Sequence, residues 1–379
     1  MKNLDSLQLV LEEIKQEFIG KDEIIDLLGI CLVARENMFL LGPPGTAKSA
    51  IIRRLSESIH NGNNFEYLLT RFTEPNELFG PFDIRKLKDG ELETNTDGMM
   101  PEASLVFLDE IFNANSAILN SLLTALNERL FRRGKESKKL PALSFIGASN
   151  QLPEDETLAA LLDRFLVRVK CGYVDPENLA AVLTAGWEME KKSAQQIKTI
   201  DPLEIMKIQE DCKKVDIMAI RTEYVDIVHS LRNTGIQVSD RRAVKLQNLI
   251  AASALISGRQ TAEISDFWVL KYIWDTEEQI EILEGMINLI LEKASFKKAH
   301  PQAQKNKLPN AEELMKEIKF LSSSWDDAAV SNEQKNIIKD KLRFIHTRCT
   351  WVNNEAQKKL LVLEIDDLWK KILKSDQPV

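Results

Sequence analysis

Side chains that build metal centres and covalent cross-links are scarce in this chain of 379 residues. The four cysteines, Cys31, Cys171, Cys212 and Cys349, lie far apart with no metal-binding or redox spacing, so they read as reduced thiols of a cytosolic protein. The four histidines, His60, His229, His300 and His346, share no spacing either, which argues against a zinc site. The N-terminus lacks the basic flank and apolar core of a signal peptide, and the longest apolar stretch, 24–34, contains an aspartate and is too short to span a bilayer. These absences predict a cytoplasmic protein. Positive charge is not in excess: the net charge is −8. That excludes nucleic-acid binding over the whole surface and leaves room only for a local basic patch.

What is present is ordinary globular material, 44% hydrophobic and 28% charged, long enough for two or three domains of about 150 residues each. Up to about residue 170, strand and helix patterns alternate. Strands are expected at 37–41, 65–70, 104–109, 143–149 and 166–170, with helices at 50–58, 116–129 and 156–162. Alternation of this kind predicts an α/β fold, a parallel sheet covered by helices on both faces. Two excursions interrupt it. Residues 82–93 turn at Asp89-Gly90 and read as an inserted hairpin; residues 132–139 form a basic tip carrying Arg132, Arg133, Lys135, Lys138 and Lys139. After Pro176 the strand signal fades. Asp201-Pro202 and Ser239-Asp240 offer helix starts and Gly235 a stop. A polar segment with two prolines, 299–309, reads as a linker, and beyond it Leu361, Ile365, Leu368 and Ile372 form one apolar stripe. The expected domains are 1–175, 176–275 and 276–379.

The chemistry starts at Gly42-Pro43-Pro44-Gly45-Thr46-Ala47-Lys48-Ser49, between an apolar strand and a helical stretch from Ala50. A phosphate-cradling loop needs this order: glycines let backbone N–H groups close around an anion, and the helix N-terminus adds its positive dipole end. Lys48 reaches the terminal phosphates and Ser49 ligates magnesium. Ala47 stands where the general pattern has glycine, and alanine fits if the residue already lies in the helix with negative φ. The pattern implies a site for ATP or ADP.

The strand at 104–109 ends in Asp109-Glu110. Beside a phosphate loop, Asp109 would hold magnesium through water and Glu110 would orient and deprotonate the attacking water. Magnesium retains several waters, so one hydroxyl and one carboxylate suffice. A further strand ends in Asn150, and Leu161-Leu162-Asp163-Arg164-Phe165 closes the next helix. Taken singly, Asn150 could be a turn residue and Arg164 a helix-end cation; the order of the motifs decides.

Phosphate loop, Asp-Glu strand, Asn strand, Asp-Arg-Phe and then Ser239-Asp240-Arg241-Arg242 in a helical region resemble an AAA+ ATPase. The loop, the stretch from Phe72 to Gly80 and Leu123-Thr124-Ala125-Leu126-Asn127-Glu128-Arg129 resemble the MoxR group within it, in particular the RavA type. The resemblance covers about residues 5–275. It implies a P-loop αβα core, an α-helical lid and a C-terminal helical bundle. Residue by residue it implies that Asn150 is the sensor-1 group, Arg164 an arginine finger offered to a neighbouring subunit, and Arg241 the sensor-2 arginine, with Arg242 its alternative. Ile19-Gly20 matches the segment that packs on adenine, 81–95 the helix-2 insertion of this branch, and the basic tip its hairpin before sensor 1. RavA-type relatives carry a small domain inserted in the C-terminal helices, for which this chain has no strand-rich block.

The resemblance further implies ATP hydrolysis in a ring, a hexamer, with a chaperone-like role in maturing protein complexes, a client protein and a von Willebrand factor A-domain partner. A nucleic-acid motor is the competing expectation; it rests on the basic tip alone, where no aromatic residues alternate with the cations to stack bases. A nucleotide-gated scaffold with little turnover is a third, against which Glu110 argues.

Overall fold

The computed structural model describes residues 2–88, 93–133, 136–153, 155–174, 178–191, 197–292, 298–304, 311–325, 332–349, 352 and 355–375. These fall into two compact units, 1–304 and 305–379, each with its own core.

In the first unit, helices α1 (Lys2–Glu17) and α2 (Asp22–Ala34) precede β1 (Met38–Leu41), and α3 (Lys48–Ser58) follows it. Then come β2 (Asn64–Leu68), α4 (Pro75–Phe79), α5 (Ile84–Lys88), β3 (Leu105–Asp109), α6 (Ser116–Glu128), the pair β4 (Leu130–Arg133) and β5 (Glu136–Lys139), β6 (Ser144–Ser149), α7 (Glu156–Leu162) and β7 (Val167–Lys170). Five strands form one sheet in the order β2-β3-β6-β1-β7, every pair parallel. All residues of β1 and β6 are buried, because helices cover both faces. Phe39 on β1 packs against Phe112 and Phe165 at 5.2 and 6.0 Å. Parallel strands deliver their C-terminal ends to one edge, so the loops after β1, β3 and β6 converge there.

The basic tip is an antiparallel hairpin, β4 on β5, with Gly134 and Lys135 outside the described residues. The earlier insertion differs from the expected hairpin. Its described part holds α5, closed off by a single bridge between Phe82 and Thr94; the Asp89-Gly90 turn lies outside the described residues.

Helices α8 (Leu179–Lys191), α9 (Pro202–Cys212), α10 (Arg221–Asn233), α11 (Asp240–Ile256), α12 (Glu278–Leu291) and α13 (Pro301–Gln304) complete this unit. Asp201 and Glu204 form a capping box at the start of α9, with Pro202 at its first position, which satisfies otherwise orphaned N–H groups. Ser239 caps α11, and Gly235 follows the end of α10 with φ +85°.

Two expected boundaries move. Leu283, Ile287 and Leu291 of α12 are buried in the core of the first unit, so this helix does not open a C-terminal domain at 276. The expected linker begins late as well: His300 and Gln302 are buried, Gln302 Nε2 donates to Asp26 Oδ2 at 2.7 Å, and His300 stacks on Trp268 at 4.8 Å. Residues 305–309 of that linker lie outside the described residues. The second unit consists of α14 (Ala311–Trp325), α15 (Asn332–Cys349) and α16 (Glu355–Ser375). The stripe Leu361, Ile365, Leu368 and Ile372 is buried against Leu314, Ile318, Leu342 and Ile345, each worth about 2 kcal/mol of burial.

Candidate nucleotide site

The loop from Gly42 to Ser49 leaves the C-terminal end of β1 and enters α3. Its first residue has no room for a side chain: a Cβ on Gly42 would lie 2.1 Å from the carbonyl oxygen of Cys171. Gly45 takes φ +80°, a conformation natural to glycine. Ala47 differs from expectation. It has φ +67° and precedes the helix, which begins at Lys48, so the left-handed turn that glycine usually supplies is made here by an L-residue.

Lys48 is buried, and its ammonium donates to the carbonyls of Gly42 and Pro43, the latter at 3.0 Å, and to Asn150 Oδ1 at 3.4 Å. Asn150 Nδ2 in turn donates to Glu110 Oε1 at 2.6 Å. Lys48, Asn150 and Glu110 therefore form one chain across the ends of β1, β6 and β3. Beside it, Ser49 Oγ lies 3.2 Å from Asp109 Oδ2. A hydroxyl and a carboxylate oxygen so placed fit the hard-oxygen preference of magnesium. Among the described residues no three His, Cys, Asp or Glu side chains converge, so water and the triphosphate's own oxygens would complete the coordination. Glu110 itself has φ +49°, and its N–H donates to Asp109 Oδ1 at 3.0 Å.

Gly20, next to Ile19 in the chain, reaches the flank of this loop through a segment that sequence reasoning missed. Cys171 N donates to Leu41 O at 2.6 Å, Lys21 Nζ donates to Gly172 O at 2.6 Å, and a Cβ on Gly20 would meet Val174 Cγ1 at 3.0 Å. Residues 171–174 thus run between Gly20 and Gly42. No spacing in the sequence announces this contact, which depends on β7 lying beside β1. Burial pushes the Cys171 thiol up to about 12, so it stays protonated and unreactive.

The three arginines divide into two groups. Asn37, just before β1, donates through Nδ2 to Arg164 O at 2.9 Å and Leu126 O at 3.3 Å. Arg164 therefore sits at the N-terminal end of β1, about 13 Å of strand away from the phosphate loop. Arg241 is beside it: its guanidinium donates to Asn127 Oδ1, and Asn127, Asp163, Arg164 and Arg241 line one small cleft. Neither side chain is brought to Lys48. Arg242 is instead buried in the joint between sheet and lid. It donates to both oxygens of Asp275 at 3.0 and 3.1 Å and shares that carboxylate with the buried Arg168 of β7. Burial, with Arg242 close by, lowers Arg168 to about 10.

A profile of the MoxR domain found in MoxR–vWA–β-propeller ternary systems matches residues 5–210. The chain belongs to the MoxR family of AAA+ ATPases. An AAA lid profile matches residues 215–287, which takes in most of α12. An uncharacterized protein of Methanocaldococcus jannaschii is 37% identical over 93% of this chain and 91% of its own length. The chaperone MoxR1 of Mycobacterium tuberculosis is 24% identical over 54% of each chain. The crystal structure of a candidate ATPase from Cytophaga hutchinsonii superimposes with a TM-score of 0.62 at 19% identity, covering 78% of this chain and 96% of that one; it shares the fold. Among the described residues of this MoxR-family protein no helix is long and apolar enough to cross a membrane.

Proposed function

We propose that this MoxR-family protein is an ATP-hydrolysing remodeller that works as a ring, with each nucleotide bound at a boundary between two subunits. One observation carries the reading: the two halves of a phosphoryl-transfer site lie at opposite ends of β1. At one end are Lys48, Ser49, Asp109, Glu110 and Asn150, with Ile19 and Gly20 beside them for the base. At the other are Arg164 and Arg241, too far to serve the nucleotide of their own chain. A second copy in head-to-tail contact would bring the cations of one chain to the phosphates of the next. Arginine supplied in this way contributes about three to five orders of magnitude to phosphoryl transfer, so assembly and turnover are coupled.

The remodelling role is supported by the chaperone naming of MoxR1. A von Willebrand factor A-domain partner is supported by the ternary systems named in the matching profile. Placement near the RavA type rests on the motif resemblance alone. Support for the nucleic-acid reading is reduced at the hairpin, where Arg132 pairs with Glu128 at 2.9 Å, Lys138 with Glu102 at 2.8 Å, and Arg133 is engaged within the protein.

The test uses two inactive chains. Glu110→Gln keeps the shape of the side chain and removes its basicity, so ATP binds while hydrolysis nearly stops; Lys48→Ala loses the nucleotide. Arg164→Ala binds ATP and hydrolyses it poorly. Mixing Glu110→Gln with Arg164→Ala creates boundaries that hold both intact groups, and activity returns once energy transfer between labelled chains demonstrates subunit exchange. Exchange without recovery would remove the trans role of Arg164, and wild-type protein that binds ATP without turnover would be a nucleotide-gated scaffold.

A further inference from the structure

The two insertions are separate in sequence, but the described residues tie them together. Arg133 of the hairpin donates to Gly80 O at 2.8 Å and to Asn76 Oδ1 at 2.7 Å, and its guanidinium lies 3.9 Å above the ring of Phe82. From the other side, Thr94 N donates to Glu136 Oε1 at 2.7 Å. Lys138 Nζ reaches Glu102 Oε1 at 2.8 Å and Thr96 Oγ1 at 3.2 Å. Phe79 stacks on Phe131 at 5.6 Å. An arginine fork held by two acceptors and an aromatic face has little freedom left, so the described residues of the hairpin, of the 81–95 insertion and of its flanks at 76–80 and 96–102 form one body.

The segment 69–74 that leads into that body meets the C-terminal side of the Asp-Glu strand at two points. Leu69 N donates to Asp109 O at 2.9 Å. Beyond Glu110, a short 3₁₀ turn, Ile111–Asn113, leads to Asn115. Asn115 Oδ1 caps α6 by accepting from Ala117 N and Ile118 N, both at 3.1 Å, while its Nδ2 donates to Thr73 O at 2.7 Å. Thr73 is buried, accepts from Thr70 N at 2.9 Å, and stands two residues before α4. One side chain therefore fastens the segment that follows Glu110 to the segment that carries the insertions. Glu110 is the residue with a reason to move, since a bound γ-phosphate and its water would compete for the Asn150 amide that now holds it.

We propose that the two insertions act as a single rigid lever, and that Asn115 is the positioning residue through which a change at Glu110 turns it. The proposal rests on the ATPase reading above. Serine caps a helix as well as asparagine but is too short to span to Thr73, so Asn115→Ser removes the bond to Thr73 and leaves the cap. Asn115→Asp is a second variant: it keeps the capping oxygen and sets a carboxylate against the Thr73 carbonyl.

Spin labels on introduced cysteines report the geometry, since the four native thiols are buried. One pair, Arg85→Cys with Lys139→Cys, spans the two insertions. The other, Glu57→Cys with Arg85→Cys, spans the phosphate-loop helix and the lever. In full-length Glu110→Gln protein, ATP is expected to shift the second distance and leave the first unchanged. With Asn115→Ser or Asn115→Asp added, ATP still binds with the same affinity, the melting temperature stays near that of the parent, and the second distance no longer responds. A shift that persists in both Asn115 variants, no shift in the parent with ATP bound, or a nucleotide-dependent change between the two insertions overturns the proposal. Failure of the parent to bind ATP in a titration would instead remove the ATPase reading on which it rests.

Discussion

Ala47 holds a left-handed backbone one residue before Lys48, at a cost of about 1–2 kcal/mol for an L-residue. Ala47→Gly removes that strain, and the greater freedom of glycine in the unfolded chain returns about 0.4–1 kcal/mol of the gain. Urea unfolding without nucleotide should therefore show a net stabilisation of about 0.5–1 kcal/mol; a destabilised variant would mean that alanine is favoured here by packing. The loop itself was legible because its chemistry depends on residue order. The sign of φ at Ala47 was not legible, since a dihedral angle set by loop closure leaves no mark in composition. Arg241 and Arg242 were likewise indistinguishable in sequence, being adjacent and alike. Their surroundings separate them: Arg242→Ala leaves Arg168 and Asp275 partly uncompensated, a loss of about 2–3 kcal/mol given the partial exposure of Asp275. Arg241→Ala should leave thermal stability within about 0.5 kcal/mol of wild type and impair ATP turnover. Equal melting losses for the two variants would show that the roles are not divided in this way.

At the scale of elements, what could be read ahead of the structure follows burial. The central strands and the stripe on α16 were found because continuous or periodic apolar runs have no other explanation. The insertion after α4 was legible only in part: its arms pair antiparallel at Phe82 and Thr94, whereas Ile84–Lys88 coils into a short helix whose start is held by Asp83 accepting from Arg85 N. The segment at 299–304 was misread. Its polar residues signal exposure, yet Gln302 donates to Asp26 and His300 stacks on Trp268 inside the first unit. Burial keeps the His300 imidazole below its ordinary range, consistent with a neutral ring packed on the indole. A chain ending at Gln304 should therefore melt close to the first unit of the full-length chain and bind ATP. One ending at Lys298 exposes Trp268 and leaves Asp26 short of Gln302, and should melt several degrees lower. Calorimetry on the two truncations decides this, and equal melting temperatures would show that the segment is dispensable.

For the molecule as a whole, the ring proposed above sets how activity depends on composition in a mixed population. If each boundary fires on its own, diluting wild type with Arg164→Ala chains removes only the boundaries for which that chain supplies the arginine. Turnover then falls in direct proportion, to about one half when half the chains are replaced. A chain carrying Glu110→Gln together with Arg164→Ala spoils the boundary on each of its sides. Turnover then follows the square of the wild-type fraction, about one quarter at equal parts. Steady-state assays across a titration of each variant distinguish the straight line from the parabola. Two coincident lines would mean that both groups serve one chain, and a curve steeper than the square would mean that boundaries fire in concert. On the ring proposal, the indivisible catalytic element of this protein is a junction rather than a polypeptide.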